Sequence, residues 1–373
     1  MAVPMIGGRS HRKMIAQSPR MRILVIALRR LGDVLLTTPL IRSLKRGFPD
    51  AAIEALVFAG TEGILAGNPD LAGVITTSPR GGEGRLALLR RLWRQYDLAV
   101  STQSGDRPTV LAWIAGRVSG GPVAPTGGTA WLKRMALDYP VAVDAARHRV
   151  EEVLQLTTAL KIQAVRELVC PTGPLRTDLL PKGDYAVIHA GPMFRYKRWG
   201  AEGWRALAAS LGERGLPVVT TGGPGPEDRR YCDEVWKTGA ADTHVARHLE
   251  GVLTWPELAH MIGSAKVYVG PDTSVTHLAA ATGAMTVALY GPTDPRRFGP
   301  WPRAGLGRPW DAAGTIQRRG NVWLVQNPLP CLPCQNEGCE RRIDSYSRCL
   351  DELSPRQVLM AVDQALASAP QAR

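Results

Sequence analysis

Apolar runs of strand length alternate with apolar residues at helical spacing along most of the chain. The first run, RILVIAL, covers 22–28. Behind it Leu35, Leu36, Leu40, Ile41 and Leu44 recur at near-helical spacing and predict a helix over 33–47, with Pro39 as an internal obstacle. Strands are predicted again at 52–58, 73–76 and 98–102, and helices at 85–95 and 108–115. This alternation implies a mainly parallel sheet with right-handed crossovers. The stretch 118–139 is rich in Gly, Pro and Thr and shows no clear period, 150–162 reads as a helix, and 170–182 has the composition of a linker. The pattern then restarts. Strands are predicted at 185–189, 217–221, 265–269 and 285–290, and helices at 201–214, 227–238, 255–264 and from 272 onward. After 302 the chain reads as irregular and cysteine-bearing, up to a last helix over 354–367 with Val358, Leu359, Val362 and Leu366 on its apolar face.

At 373 residues the chain suggests about two domains. The expected division is a disordered basic tail at 1–20, α/β domains at 21–175 and 176–350, and a closing helix at 351–373. Two doubly wound domains of similar size predict a cleft between them. The first twenty residues hold no continuous apolar core and do not resemble a secretory signal. No run of about 18 apolar residues occurs, so no spanning helix is expected. The formal charge of +13 points to an anionic partner: nucleic acid, a membrane surface or an acidic substrate. No helix-turn-helix, aromatic RNA-binding signature or tight lysine run is present, and nucleic acid is not expected.

The segment 270–301, GPDTSVTHLAAATGAMTVALYGPTDPRRFGPW, holds the densest chemistry. A strand leads into a helix whose first turn carries Asp272, Thr273, Ser274 and His277. Free N–H groups and the dipole at a helix start favour an anion. The same residues also suit an ordinary N-cap cluster. The second half weighs toward a ligand: Tyr290-Gly-Pro-Thr-Asp-Pro is a long turn at the carboxyl end of the next strand, where open α/β sheets bind theirs. The whole reads as a diphosphate-binding element of a nucleotide-sugar enzyme. Asp33 stands where the first strand turns into its helix, either as an N-cap or as a general base within reach of a hydroxyl. Lys197, in the loop after the strand at 185–189, is a point charge suited to a leaving phosphate, or part of a solvated basic loop with Arg195 and Arg198. Gly222 and Gly223 in TTGGPGPED let a backbone approach a nucleotide, and Glu227 or Asp228 could accept from a ribose hydroxyl; the motif is neither a P-loop nor GxGxxG.

Cys331, Cys334, Cys339 and Cys349 form C-x2-C-x4-C-x9-C. Four thiolates can hold a structural zinc ion, although the spacing is not that of paired CxxC knuckles. Disulfides fit less well a chain lacking an export signal.

Taken together, these regions resemble the family 9 glycosyltransferases, the lipopolysaccharide heptosyltransferases, and most of all their heptosyltransferase III branch. The residues that carry the resemblance are RILVIALRRLGDVLLTTPLI at 22–41, Lys197-Arg198-Trp199, TTGGPGPED at 220–228, and GPDTSVTHLAAATG with ALYGPTDP inside 270–295. The resemblance implies a GT-B fold of two Rossmann-like domains: an acceptor domain at 21–175 and a nucleotide-sugar domain at 176–350, with the final helix packing back toward the first. It also implies inverting transfer from ADP-heptose to the inner core of lipopolysaccharide, with no cofactor, at the cytoplasmic face of the inner membrane. On this mapping Asp33 is the base and Lys197 stabilises the departing diphosphate. Gly222, Gly223, Glu227, Asp272, Thr273, Ser274 and His277 hold the donor, while Arg29, Arg30 and Arg107 meet an anionic acceptor. The family often has Gly where this chain has Ser274. Two other classes share the architecture: a nucleotide-sugar epimerase, which needs acid/base groups on both faces of the sugar, and a non-enzymatic binder of anionic surfaces.

Overall fold

In the computed structural model, which describes residues 21–79, 84–237 and 245–368, the chain forms two units, Met1–Val169 and Cys170–Arg373. The expected tail at 1–20, and Thr238 at the end of a predicted helix, lie outside the described residues.

The first unit is a six-stranded sheet. Its elements in order are β1 (Arg22–Ala27), α1 (Leu31–Leu35), α2 (Thr38–Gly47), β2 (Ala52–Phe58), β3 (Gly73–Thr77), α3 (Arg85–Leu92), β4 (Tyr96–Ser101), α4 (Asp106–Ala115), β5 (Gly116–Val123), α5 (Ala130–Ala136), β6 (Tyr139–Ala142) and α6 (Arg149–Leu160). The strand order is β3-β2-β1-β4-β5-β6, and every pairing is parallel. The predicted helix over 33–47 is two helices. Pro39 sits in the first turn of α2, where its missing N–H costs nothing, so the chain breaks just before it. The stretch without a period holds β5, α5 and β6. Glycine hid the strand β5: a Cβ on Gly116 would stand 2.3 Å from the Val118 carbonyl oxygen, and one on Gly121 would stand 3.2 Å from Ser101 Cβ. These glycines let β5 pack closely between its neighbours rather than turn the chain.

The second unit contains β7 (Ala186–Gly191), α7 (Ala201–Glu213), β8 (Val218–Gly222), α8 (Pro226–Trp236), β9 (Val245–His248), α9 (Trp255–Ser264), β10 (Val267–Pro271), α10 (Ser274–Thr282), β11 (Thr286–Leu289), α11 (Pro295–Phe298), β12 (Ile316–Arg319), β13 (Val322–Val325), α12 (Arg348–Asp351) and α13 (Pro355–Ala367). The order is β12-β13-β11-β10-β7-β8-β9, parallel except for the β12–β13 hairpin at one edge. That hairpin corrects the expectation of irregular chain after 302. Its four-residue strands are too short to show a period, yet all four residues of β13 are buried beside β11. The unit boundary falls at 169/170, at the start of the predicted linker and before the expected division at 175/176. In the closing helix α13, Val358, Ala361, Val362 and Ala365 are fully buried in the core of the second unit, against α7, β10, β11 and β13.

Candidate active site

In the first unit, Asp33 lies on α1 just past the carboxyl end of β1. Its Oδ1 is buried and accepts no hydrogen bond. The Arg149 Nε stands 3.6 Å away, too far for a hydrogen bond but close enough for strong attraction in a poorly hydrated site. Arg149 is 4% exposed. It is held by donation of Nη2 to the Thr102 carbonyl oxygen at 2.6 Å and by the Glu152 carboxylate 3.3 Å from Nη1. The pair thus leaves one buried carboxylate oxygen without a hydrogen bond beside a fixed cation. Arg149 was missed because it precedes the apolar periodicity of α6; its R-x-x-E spacing to Glu152 was the available signal. Arg29 and Arg30 are exposed beside α1. Arg107 is committed to the backbone: it donates to the carbonyl oxygens of Pro79 and Ser78 and to Thr77 Oγ1, and its guanidinium stacks on Phe58.

In the second unit, Lys197 donates to Asp272 Oδ2 at 2.6 Å, and Thr293 Oγ1 donates to the same oxygen at 2.5 Å. Trp199 explains why the lysine is held. It is buried, packs edge-on to Trp204 at 4.9 Å, and donates from Nε1 to the Leu353 carbonyl oxygen at 2.7 Å. That anchors the loop two residues from Lys197. Burial alone would raise the Asp272 carboxyl, but the charges of Lys197 and His277 and the hydrogen bonds from Lys197 and Thr293 outweigh it and leave it below the usual range. The neighbouring Tyr290 phenol is pushed far up by burial and by the Asp272 charge. Asp272 is therefore a carboxylate, and the Lys197 side chain that donates to it has further donors to spare. Thr273 caps α10, its Oγ1 accepting from the Thr276 N–H, while Ser274 opens the helix and His277 is buried one turn on. Thr293 and Tyr290 belong to the long turn singled out in the sequence, but the bond from Thr293 to Asp272 was not foreseen, and the Tyr290 hydroxyl donates to the Phe298 carbonyl oxygen at 2.8 Å.

The Gly-rich turn is crowded by carboxylates. A Cβ on Gly223 would stand 2.1 Å from Asp228 Oδ2, and one on Gly222 would stand 2.9 Å from Glu250 Cγ. Asp228 is raised by burial, whereas Glu227 is exposed and pairs with Arg230 at 3.0 Å. Thr220 Oγ1 donates to Glu250 Oε1 at 2.5 Å and lies 3.0 Å from His248 Nδ1. Nearby, burial pushes His189 down to about 4, so the ring is neutral at physiological pH; its Nδ1 is 3.0 Å from Thr221 Oγ1. His248 ends a strand, β9, that the hydrophobic pattern did not reveal, and Glu250 follows it.

With this geometry in place, comparison with known proteins is decisive. The family model for glycosyltransferase family 9 (heptosyltransferase) matches residues 85–305. The chain belongs to glycosyltransferase family 9. It is similar to the lipopolysaccharide heptosyltransferase 3 of Escherichia coli, 29% identical over 289 residues that cover 72% of this chain and 83% of that protein. Among solved structures it is similar to a family 9 glycosyltransferase from Veillonella parvula, with TM-score 0.74, 20% identity and coverage of 94% and 98%. It is also similar to the E. coli heptosyltransferase WaaC solved with ADP, with TM-score 0.69, 20% identity and coverage of 92% and 100%. The fold is thus GT-B, with two parallel-sheet domains, and the protein is a glycosyltransferase.

Within this family 9 chain the four clustered cysteines line one cavity of about 450 Å³, together with Pro292, Leu332 and Arg348. Cys349 is buried. Burial first, and then the nearby Cys334, Cys339 and Cys331, push its thiol up to about 12. The Arg348 N–H donates to Cys339 Sγ at 3.4 Å. Among the described residues, no three His, Cys, Asp or Glu side chains are gathered as they would be around an ion.

Proposed function

We propose that this glycosyltransferase moves a heptose from ADP-heptose to the inner core of lipopolysaccharide, with inversion. The observation that carries the reading is the Lys197–Asp272–Thr293 constellation at the start of α10, in a chain whose relatives include a heptosyltransferase solved with ADP. The donor diphosphate meets the free N–H groups of α10, Thr273 and Ser274, and the remaining N–H groups of Lys197. Asp33 takes the proton of the acceptor hydroxyl. The oxygen attacks the anomeric carbon from the face opposite ADP, the bond from that carbon to the phosphate oxygen breaks, and ADP leaves. Lys197 and the helix start neutralise the charge that grows on it. His277 and the Gly222–Gly223 turn line the donor's path, while Arg29 and Arg30 attract a phosphorylated or carboxylated acceptor. Arg107 keeps a structural part at the end of β3.

No metal takes part in this transfer, so chelation with EDTA is expected to leave the rate unchanged. A structural zinc ion among the four thiols is an independent proposal that rests on their soft donor set and requires them to draw together, since they are not gathered around an ion here; the metal content of purified protein decides it. The acceptor is membrane-borne, so the enzyme works in the cytoplasm at the surface of the inner membrane. No helix among the described residues is long and apolar enough to cross a membrane.

A donor screen by thermal shift tests the reading. ADP-heptose is expected to stabilise the protein more than UDP- or GDP-sugars do. Stabilisation by a non-ADP donor alone would overturn the choice.

A further inference from the structure

The first sheet buries most of its apolar side chains, yet one of its helical layers leaves several in water. The strand order places the crossovers β3→β4, β4→β5 and β5→β6 in one direction along the sheet. Right-handed crossovers that run in one direction lay their helices on one face. So α3, α4 and α5 share a face, and the contacts agree. α3 packs beside α4. The start of α4 is tied to α5 through Lys133, whose Nζ stands 2.7 Å from Asp106 Oδ1 and donates to the Ser104 carbonyl oxygen.

The outer side of this layer is apolar at its tips. Trp93 and Trp131 are each 58% exposed, Met135 is 79% exposed, and Trp113, Leu132 and Leu86 also face water. The chain has ten tryptophans, and these are the three that are exposed; Trp199, Trp204, Trp236, Trp301, Trp310 and Trp323 are all fully buried. Among the described residues of the second unit the exposed large apolar side chains come from scattered segments, as at Met193, Ile343 and Met360. On α5, Trp131, Leu132 and Met135 fall on one side of a helix whose other side buries Ala130. Interleaved with them are Arg90, Arg91, Arg94 and Arg134, all exposed. Arg94 stands 5.9 Å from the centre of the Trp113 ring. Acidic residues are nearly absent: between 84 and 136 the chain carries Asp97 and Asp106, the first bound to the Arg22 N–H and the second to Lys133.

We propose that the outer face of α3, α4 and α5 docks on an anionic phospholipid surface. Tryptophan rings suit the headgroup level, where one end is apolar and the other wet. Leu86, Leu132 and Met135 enter the acyl boundary, and the arginines meet lipid phosphates. Charge complementarity selects this occupant over a second copy of the chain, whose same face would be equally basic. The inference rests on the proposed lipid-borne acceptor and adds how the enzyme reaches it.

Co-sedimentation of the full chain with vesicles tests it. Binding to vesicles containing phosphatidylglycerol is expected to exceed binding to pure phosphatidylcholine by roughly tenfold and to fall as salt rises. Brominated lipids are expected to quench tryptophan fluorescence. The double variant Trp131→Glu/Met135→Glu should lose vesicle binding by roughly tenfold while keeping its melting temperature, its ADP binding and its transfer to a water-soluble acceptor fragment. Vesicle binding unchanged in that variant, absence of quenching in the wild-type chain, or a dimer dispersed by these substitutions would each overturn the proposal. Transfer activity is read separately, so loss of the heptosyltransferase reading and loss of the docking face are distinguishable.

Discussion

Asp33 and Arg149 form a pair in which neither of the facing buried atoms has a hydrogen-bond partner. A structural ion pair would close that gap, whereas a base must keep an oxygen open for an incoming proton. Replacing Asp33 with Asn is expected to lower transfer by roughly 10² to 10⁴ while ADP binding stays unchanged, as calorimetry would show. Replacing Arg149 with Ala strands the Glu152 and Asp33 carboxylates, and denaturant unfolding should register a loss of about 3 kcal/mol. Arg149→Lys should recover much of that stability but not the rate, because Lys lacks the fork that fixes the geometry. His189 gives a pH signature. Its folded value of about 4 lies below its ordinary 6.5, so between these values the unfolded chain binds more protons. Stability is therefore complete above 6.5 and falls as pH drops toward 4, by about 3 kcal/mol in all. In His189→Gln that slope is expected to flatten, and stability curves at several pH values would measure it.

Among the elements, most of what positions the site was legible from hydrophobic pattern. Strands β1, β2, β7, β8, β10 and β11 are mostly apolar runs of strand length, broken only by residues such as Glu54, His189 and Thr220, and the helices after them carry the expected period. What escaped notice has physical causes. β5 is written in glycine because its neighbours approach too closely for side chains. β9 is an exposed edge without alternation, and β12 and β13 are too short for a period to show. Gly116→Ala forces a Cβ against the Val118 carbonyl and the Ala99 backbone of β4 and should destabilise the first unit by roughly 1–3 kcal/mol, measured by denaturant unfolding. The candidate site was legible where chemistry sits at strand ends, as at Asp33, Lys197 and Asp272. The turn that holds Tyr290 and Thr293 was legible as well, but pairings that form only in space, Arg149 with Asp33 and Glu250 with Thr220, lie too far apart in sequence for pattern to find.

At the scale of the whole molecule, the proposed chemistry draws on both units. The first carries the open carboxylate and the basic, tryptophan-tipped helical layer; the second carries the lysine–carboxylate–threonine group at a helix start. That division suits an enzyme that takes its donor from solution and its acceptor from a membrane. Membership of glycosyltransferase family 9 establishes the class of reaction, and the central claim is the particular one: heptose from ADP-heptose to the lipopolysaccharide core, with Asp33 as base. The most direct measurement follows that transfer by mass spectrometry, on purified core acceptor, for the wild-type chain and Asp33→Asn side by side. The account predicts a mass gain of one heptose with the wild-type enzyme, dependent on both ADP-heptose and acceptor, and nearly none with the variant. Full transfer by Asp33→Asn, or consumption of ADP-heptose to a new sugar nucleotide without acceptor, would contradict it.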